Sequence, residues 1–271
     1  MKPAEMRVLL TGASGGIGQA MTRRLAGAGA AVLGVGRGEA PAGRAEPTDI
    51  DRGRLEWLQA DLTAADASAR VAAAAAAWGA NVVVHAAGVP AFGAMAHTPP
   101  SQMRSVLHTN LLAPMALTQA LLPHLARQRE AQVVFVGSAL GRIGVPGFSV
   151  YGASKAGLHG FAEALRRELA GTPVRVKTLG PRSTRTGFNG DAVEAFNQAT
   201  GTAMDSPRDV ADALVRLLEG TAPERYIGFP ERLAVRLNGA LGAWLDSGFR
   251  KHRRHLEEDA GPTHQSKGSL A

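Results

Sequence analysis

Arg7-Val-Leu-Leu-Thr-Gly-Ala-Ser-Gly-Gly-Ile-Gly18 joins a short apolar run to a glycine-rich loop, and a helical pattern follows to about Gly27. The apolar run predicts a buried strand, and glycine suits the loop because the backbone must turn sharply there. Such a loop lets a pyrophosphate approach the backbone, and the N-terminus of the helix presents free N–H groups to the phosphates. A glycine cluster alone is more often a plain turn. Its position between the first strand and the first helix favours nucleotide binding.

The alternation of apolar runs and helical patterns continues along the chain. Further strands are predicted at residues 31–35, 55–60, 81–85, 133–138 and 174–179, and helices over about 64–78, 100–127, 149–170 and from 206. Strands that alternate with helices form a parallel sheet covered on both faces. We therefore expect an α/β fold, a doubly wound Rossmann fold with a central parallel sheet of about seven strands, over residues 1–230. Two stretches lack a firm pattern: 38–53 predicts an irregular crossover, and 187–206 a flap over a substrate.

Composition limits the kinds of site that the chain can hold. Its 271 residues are 45% hydrophobic, which is enough for one domain with a large core. The chain has no cysteine, so disulfides, thiol catalysis and cysteine-ligated metals are excluded, and we expect no metal site. The apolar run before the glycine loop is too short for a signal segment or a membrane span. A cytoplasmic location is therefore expected.

The formal net charge of +7 favours anionic ligands. Much of this excess lies in dispersed arginines, however, and the sequence shows no basic stripe rich in aromatic residues, which single-stranded nucleic acid needs. We therefore expect no nucleic-acid partner.

Ser138 and the pair Tyr151 and Lys155 are candidates for an acid–base site. The motif Tyr151-Gly-Ala-Ser-Lys155 places a phenol and an ammonium one helical turn apart, and Ser138 ends the fifth predicted strand. A phenol titrates too high to exchange protons at neutral pH without a nearby positive charge, which Lys155 is placed to supply. Together with a nicotinamide, these groups suit reversible hydride chemistry at a carbonyl. The alternative is a surface tyrosine and lysine beside a strand that ends in serine.

Three further places are candidates for contact with a dinucleotide. The second strand ends in Arg37, whose guanidinium can donate two hydrogen bonds to a 2′-phosphate. An acidic residue at this position would repel that phosphate, so NADP(H) is preferred over NAD(H). A solvated arginine is the alternative. Asp61 could accept a hydrogen bond from the adenine amino group, or Asp61 or Thr63 could cap the next helix. The small residues Ala86-Ala-Gly88 would let a ribose lie against the backbone.

Pro114 and Pro123 interrupt the helical pattern of residues 100–127. Because Pro114 has no N–H, the carbonyl of Asn110 loses its helical partner. A freed acceptor beside an amide side chain could hold a water that connects Lys155 to solvent. Alternatively, Asn110 merely tolerates a kink.

Taken together, these motifs resemble the single-domain short-chain dehydrogenases/reductases over about residues 5–230. Thr11-Gly-Ala-Ser-Gly-Gly-Ile-Gly18 is similar to that family's TGxxxGxG loop. The family's catalytic asparagine, serine, tyrosine and lysine are matched in order and spacing by Asn110, Ser138, Tyr151 and Lys155.

The resemblance implies a role for each matched residue. Tyr151 would be the general acid/base, and Ser138 would orient the substrate oxygen. Lys155 would bind the nicotinamide ribose and lower the tyrosine pKa, and Asn110 would hold a relay water. The implied cofactor-binding residues are Gly12, Ser14, Gly16, Ile17, Gly18, Arg37, Asp61, Leu62, Ala87, Gly88, Tyr151, Lys155 and Thr186.

Two departures from the family pattern stand out. His85-Ala-Ala-Gly88 replaces Asn-Asn-Ala-Gly, which removes amide hydrogen bonds that would brace the sheet. We expect this change to affect stability more than chemistry, with His85 a core residue. Pro181-Arg182 replaces Pro-Gly, so a long cation stands near the expected nicotinamide pocket.

The segment after residue 230 extends beyond the family pattern. Leu233, Leu237, Leu241, Trp244 and Leu245 follow helical spacing, which predicts an amphipathic helix over 231–254, and 255–271 is expected to be a disordered tail. The helix could lie on an anionic membrane as a peripheral contact, but packing against the domain or a partner subunit is favoured. The resemblance implies a homodimer or a homotetramer.

The sequence therefore predicts an oxidoreductase that interconverts a ketone or 3-oxoacyl group and a secondary alcohol with NADP(H). The partner is a small-molecule carbonyl or alcohol, and the apolar C-terminal helix favours a lipophilic compound or an acyl thioester. A non-catalytic dinucleotide-binding or redox-sensing module is the alternative, although such a module has no need of the catalytic set. A sugar-nucleotide epimerase or dehydratase is disfavoured by the loop spacing and by the lack of a large substrate domain.

Overall fold

Seven strands form one parallel sheet in the computed structural model, which describes residues 1–40 and 54–228. The strands are β1 Arg7–Thr11, β2 Ala31–Gly36, β3 Leu55–Gln59, β4 Val82–His85, β5 Ala131–Val136, β6 Val174–Gly180 and β7 Glu224–Tyr226. Every neighbouring pair is parallel. The predicted doubly wound fold is confirmed, and β7 is a strand that the sequence pattern did not locate.

The order of the strands reverses beside β1. The sheet runs β3-β2-β1-β4-β5-β6-β7, so the chain moves outward from β1 and then returns to place β4 on its other side. Thr11, at the end of β1, pairs with Val35 of β2 and with His85 of β4. In open sheets of this kind a crevice forms outside the carboxyl ends of the strands at the reversal, and ligands bind there. The glycine loop after β1 lies at this crevice.

Helices cover both faces of the sheet. They are α1 Gly16–Gly27, α2 Ala67–Trp78, α3 Pro100–Leu107, α4 Ala113–Leu125, α5 Ser149–Glu168, α6 Asp191–Thr200 and α7 Pro207–Glu219. Val8 and Leu10 of β1 pack in a core with α1 and α7, whereas Leu9 packs in a second core with α2, α4 and α5. Successive strand residues thus point into opposite cores, which explains why the strands read as continuous apolar runs.

The helix predicted over residues 100–127 is divided differently from the prediction. A π-helical turn, His108–Leu112, separates α3 from α4, and the N–H of Ala113 donates to the carbonyl of His108 five residues earlier. The break therefore precedes Pro114, and Pro123 lies inside α4 without ending it. The wide turn carries Asn110, whose side chain hydrogen-bonds Val89 in the turn after β4.

Residues 187–206, for which the sequence showed no firm pattern, contain α6, and the flap role of this stretch stays a prediction. The helix buries Val193, Phe196 and Asn197. Its apolar face is only about one turn long, too short to give a periodic signal in the sequence. The start of the next helix was predicted correctly: Ser206 caps α7 and exchanges hydrogen bonds with Asp209.

Several predictions lie outside the described residues. These are the C-terminal helix over 231–254, the tail over 255–271 and most of the irregular crossover over 38–53. Within residues 1–40 and 54–228, no helix is both long enough and apolar enough to cross a bilayer.

Candidate active site

The loop after β1 packs tightly against the turn after β4. Gly12 has φ +69°, a backbone conformation that residues with a side chain rarely adopt. A β-carbon there would lie 2.7 Å from the Cα atom of Ala87. A β-carbon at Gly18 would overlap the carbonyl oxygen of Gly12. Because both positions lack a β-carbon, the first turn of α1 can lie close to the ends of β1 and β4.

The N-terminus of α1 is open at this crevice. The helix begins at Gly16, and its capping residue is Gly15, which has no side chain that could satisfy the first N–H groups. The first N–H groups of a helix have no partner within the helix, and the helix dipole adds positive potential there. Ile17 packs on the core beneath and anchors the turn. The start of α1 is therefore suited to hold a phosphate group.

Thr186 reaches the glycine loop from the segment after β6. A β-carbon at Gly16 would lie 2.7 Å from Cγ2 of Thr186, so the two residues are in direct contact. The hydroxyl of Thr186 accepts a hydrogen bond from the N–H of Phe188 at 3.3 Å. The structure thus brings together residues 16 and 186, which are far apart in the sequence.

Arg37 and Ser14 lie together at the end of β2. The carbonyl of Arg37 accepts a hydrogen bond from Nε2 of Gln59 at 2.9 Å, which fixes the backbone, while the side chain is exposed. A β-carbon at Gly36 would lie 3.1 Å from Oγ of Ser14. The hydroxyl of Ser14 therefore lies against the last residue of β2, which exposed Arg37 directly follows.

Asp61 closes the turn that follows β3. Its Oδ1 accepts hydrogen bonds from the N–H and the hydroxyl of Thr63 at 2.9 and 2.7 Å. These bonds, with a smaller contribution from the charge of Arg37, lower the pKa of Asp61. Helix α2 begins at Ala67 with Asp66 as its cap, so the alternative that Asp61 or Thr63 caps this helix is wrong. The neighbouring Leu62 packs on the second core.

Side chains from two other elements hold the turn after β4. The hydroxyl of Thr11 accepts hydrogen bonds from the N–H groups of Ala86 and Ala87 at 3.1 and 3.2 Å. The amide of Asn110 accepts from the N–H of Val89 at 2.8 Å and donates to its carbonyl at 3.0 Å. This turn is therefore fixed at both ends, and Gly88 lies between the two anchors.

Asn110 also connects this turn to α5. The residue is 1% exposed, and its Nδ2 donates to Oγ of Ser154 at 3.2 Å. Ser154 in turn donates to the carbonyl of Tyr151 at 2.7 Å. A buried chain of hydrogen bonds thus runs from the turn after β4 to the residue expected to carry the chemistry. Ser154 lies between Tyr151 and Lys155 in the sequence, but no sequence signal distinguished it from an ordinary helical serine.

Ser138, Tyr151 and Lys155 lie together, as predicted. Ser138 follows β5, accepts a hydrogen bond from the N–H of Leu140 at 3.1 Å, and hydrogen-bonds the phenol of Tyr151. Nζ of Lys155 lies 5.7 Å from the centroid of the Tyr151 ring and donates to the carbonyl of Val136 at 3.0 Å. Lys155 is 5% exposed, so its charge acts inside the protein.

Burial dominates the protonation of both groups. It raises the pKa of Tyr151 to about 12, although the hydrogen bond with Ser138 acts in the opposite direction. Burial also lowers the pKa of Lys155 to about 8. Lys155 was expected to lower the tyrosine pKa, but removing the phenolate from water has the larger effect, so the net shift is upward. The phenol is therefore protonated at neutral pH.

These residues fit a nicotinamide dinucleotide. The open start of α1 suits phosphates, and a β-carbon at Gly88 would lie 3.7 Å from Nζ of Lys155, so the glycine leaves the ammonium approachable. An ammonium has three donors, and within the described residues Lys155 uses one of them, on Val136. The remaining donors suit the hydroxyl groups of a ribose.

Residues 6–196 match the family model for short chain dehydrogenases. The chain belongs to this family. The dehydrogenase is 33% identical over 230 residues to a ketoacyl reductase of Nostoc sp., covering 80% of this chain and 76% of that protein. A short chain dehydrogenase from Burkholderia cenocepacia, solved in complex with NADP, has the same fold with a TM-score of 0.78 at 23% identity over 92% of this chain and 99% of that one.

A serine dehydrogenase, solved in a closed form complexed with NADP⁺, is 26% identical to this chain with a TM-score of 0.70. The match covers 82% of this chain and 94% of that chain. The dehydrogenase is therefore an oxidoreductase that acts on a CH–OH or carbonyl group, in a family that binds a nicotinamide dinucleotide. This membership favours the enzyme over the non-catalytic binding module.

His85 of the dehydrogenase is a core residue, as predicted. It is 4% exposed, and its ring stacks on Phe135 with centroids 5.0 Å apart. The hydroxyl of Thr118 donates to the carbonyl of Pro114 at 2.7 Å, so it accepts from Nε2 of His85 at 2.9 Å. Burial lowers the pKa of His85 to about 3. The histidine therefore braces β4 against α4 as a neutral ring.

Acid should destabilise the dehydrogenase through His85. Its pKa is about 3 in the folded protein and 6.5 in the unfolded chain, so the unfolded chain binds the extra proton as the pH falls below 6.5. Stability is then lost, by about 2 kcal/mol at pH 5. We expect His85→Asn to remove this contribution and exposed His97→Asn to leave it unchanged, as measured by urea unfolding at pH 7 and pH 5. Equal acid sensitivity of the wild type and His85→Asn would contradict this assignment.

Arg182, the long cation that follows Pro181, forms an ion pair with Asp205. Its Nε and Nη2 both lie 2.9 Å from Oδ1 of Asp205. The partner is 23 residues away in the sequence and was not identified by any motif. The charge that replaces the family's glycine is therefore paired inside the protein.

One phenylalanine contacts Tyr151, and three others form a cluster of their own. The ring of Phe188 meets the ring of Tyr151 edge-on, with centroids 6.1 Å apart. Phe92, Phe148 and Phe196 pack together with centroids 4.9 to 5.8 Å apart. Phe148 directly precedes α5, which carries Tyr151. These ring contacts were not predicted, because the phenylalanines come from three separate segments.

Proposed function

We propose that the dehydrogenase interconverts a ketone and a secondary alcohol with NADP(H), with Tyr151 as the general acid/base. The observation that carries this proposal is the contact between Ser138 and Tyr151, beside buried Lys155 and next to the start of α1. A bound nicotinamide dinucleotide supplies or accepts the hydride.

Ser138 and Tyr151 would both hydrogen-bond the carbonyl oxygen of the substrate. Because the pKa of Tyr151 is about 12, its phenol carries a proton at neutral pH and can donate it to the oxygen as the alcohol forms. Ser138 holds the phenol in place through their hydrogen bond. This protonation state favours the reduction of a ketone.

Lys155 and Asn110 would support that proton transfer. The ammonium of Lys155 adds positive charge near the ring and stabilises the phenolate left after the proton has moved. The side chain of Asn110 is fully engaged with Val89 and Ser154, so the acceptor for a relay water is its backbone carbonyl. The π-helical turn would then position that carbonyl.

A preference for NADP(H) is supported by the end of β2. Exposed Arg37 and the adjacent Ser14 offer a guanidinium and a hydroxyl, which together suit a 2′-phosphate. The serine dehydrogenase similar to this chain was solved with NADP⁺. Thr186, Asp61, Leu62 and Ala87 would complete the contacts.

Arg37→Ala should separate the two cofactors. Loss of one charge-assisted contact with phosphate corresponds to about a tenfold weaker affinity for NADPH, whereas the affinity for NADH stays unchanged. Titration of both cofactors by fluorescence measures this. Arg23→Ala, an exposed arginine on α1, is the control and should change neither. Equal affinities of the wild type for NADPH and NADH would remove the case for NADP(H).

The substrate is proposed to be a lipophilic ketone or a 3-oxoacyl thioester. Phe188 beside Tyr151 gives the reacting carbonyl an apolar neighbour, and the similar Nostoc protein is a ketoacyl reductase. A panel of oxoacyl thioesters, steroids, small ketones and sugars, followed by the absorbance of reduced nicotinamide, tests both the reaction and its substrate. Turnover of sugars alone would overturn the lipophilic assignment, and no turnover at all would overturn the reaction.

We also infer a homodimer or homotetramer in the cytoplasm, with peripheral membrane contact through residues 231–254 as the alternative role of that segment. Leu107 and Leu112 are 41% and 54% exposed, which suits a face that another subunit covers. Light scattering during size-exclusion chromatography measures the number of subunits.

A further inference from the structure

Residues 182–205, called here the cover segment, connect the end of β6 to the start of α7. The segment carries two side chains that reach the candidate site. Thr186 contacts Gly16 at the start of α1, and Phe188 meets the ring of Tyr151. The position of the cover segment therefore determines whether both contacts exist.

An ion pair joins the first and last residues of the cover segment. Oδ1 of Asp205 lies 2.9 Å from both Nε and Nη2 of Arg182, and the two side chains are 8% and 19% exposed. Oδ2 of Asp205 is buried and has no hydrogen-bond partner among the residues that the structure describes. The carboxylate therefore depends on Arg182, and losing that cation would leave a buried charge without compensation.

Backbone hydrogen bonds strengthen the same closure. The N–H of Asp205 donates to the carbonyl of Ser183 at 2.9 Å, and the N–H of Arg185 donates to the carbonyl of Asp205 at 3.0 Å. The two ends of the segment are thus held in register. The side-chain pair and these bonds form one clasp.

Inside the clasp, the cover segment is held to itself by amide side chains. Oγ of Ser183 accepts hydrogen bonds from Asn189 at 3.3 Å and from Asn197 at 2.8 Å. Asn189 also donates to the carbonyl of Thr184 at 3.0 Å. Because the interior is connected in this way, a change at the ends displaces Thr186 and Phe188 together.

We propose that Arg182 and Asp205 are positioning residues that hold the cover segment over the dinucleotide site and thereby set the affinity for the cofactor. The inference rests on the proposed function, because Thr186 is taken to contact that cofactor. A glycine at position 182, as in the family pattern, could not form this pair. When only a fraction of the molecules has the segment in place, the apparent dissociation constant rises by the inverse of that fraction. At a saturating concentration of cofactor the cover segment is in place in nearly all molecules, so kcat is preserved.

Arg182→Gly and Asp205→Asn test the clasp in the full-length protein. Each should weaken NADPH binding about tenfold, as measured by the fluorescence of the bound cofactor, and change kcat by less than about twofold. In the cofactor-free protein, trypsin should cut after Arg185 about tenfold faster, because local opening exposes the bond. Asp205→Asn keeps the shape of the side chain, and circular dichroism establishes that each variant is folded.

Arg24→Gln is the matched control. It breaks the ion pair between Arg24 of α1 and Asp212 of α7, which lies outside the cover segment. Neither NADPH affinity nor cleavage after Arg185 should change. The conservative Arg182→Lys keeps a cation at the clasp and should restore most of the affinity lost in Arg182→Gly.

Three results would overturn the clasp: unchanged affinity and cleavage in Asp205→Asn, equal changes in Arg24→Gln, or loss of kcat with an unchanged KM for the cofactor. Failure of the wild type to bind NADPH would instead overturn the proposed function. The cleavage measurement needs no cofactor, so it decides whether the clasp holds the segment in either case.

Discussion

Tyr151→Phe should lower kcat by about 10³-fold, because the variant removes the phenol hydroxyl that donates the proton. General acid–base catalysis contributes a factor of about 10² to 10⁴ to the rate. The affinity for NADPH should change by less than about twofold, since the ring that packs against Phe188 is retained. Steady-state turnover and a fluorescence titration of the cofactor give the two numbers.

Tyr226→Phe is a matched control, because the chain has two tyrosines. Burial raises the pKa of Tyr226 to about 12, as it does for Tyr151, but its hydroxyl faces Nδ1 of His159 at 3.3 Å. We expect kcat to change by less than about twofold. If Tyr151→Phe kept more than about a tenth of wild-type turnover, the proton would come from another group, and the proposed mechanism would be wrong.

The sheet and the glycine loop were predictable because their signals are local. Arg7 to Gly18 carries an apolar run, a sharp turn and a helix start within twelve positions, and the structure places all three there. The spacing of Tyr151 and Lys155 was equally local, since a helix brings residues four apart to the same face. Ser138 was identified because it directly follows an apolar strand.

The contacts of the segment after β6 were not predictable, because they join residues that are far apart in the sequence. Arg182 was predicted to place a long cation near the pocket, but its partner, Asp205, comes from the other end of the cover segment. Phe188 had no signal at all, because its contact with Tyr151 depends on how α6 and the preceding loop fold back. Such contacts arise from tertiary packing, which no spacing rule in one sequence reveals.

The pKa values of the site residues could not be predicted from the sequence either. Residue types predicted that Lys155 would lower the tyrosine pKa, yet burial raises that pKa to about 12 and lowers the pKa of Lys155 itself to about 8. Desolvation depends on how completely the surrounding elements enclose each group. The consequence is a specific pH profile, set by the lysine and not by the tyrosine.

Lys155 should therefore control the high-pH limit of ketone reduction. The ammonium is charged below its pKa of about 8 and neutral above it, so kcat/KM, which reports the free enzyme, should fall about tenfold per pH unit above that value. Tyr151 keeps its proton across this range because its pKa is about 12. Lys155→Met should lose about 10³-fold in kcat/KM at pH 7, since it removes both the charge and a donor to the cofactor.

Unfolding does not explain such a decline. The pKa of Lys155 is lower in the folded protein than its ordinary value of 10.5, so the unfolded chain binds more protons between pH 8 and 10.5. The contribution of Lys155 to stability therefore rises with pH over this window, while activity falls. Measuring urea unfolding and kcat/KM on the same samples from pH 6 to 10 separates the two effects.

Two variants assign the decline to Lys155. Lys155→Arg keeps a permanent positive charge, so its residual kcat/KM should stay level from pH 7 to 10. Lys177, whose pKa burial also lowers to about 8, donates to the carbonyls of Leu217 and Gly220 away from the site, and Lys177→Gln should keep the wild-type profile. If the decline disappeared in Lys177→Gln and persisted in Lys155→Arg, the charge that supports catalysis would not be that of Lys155.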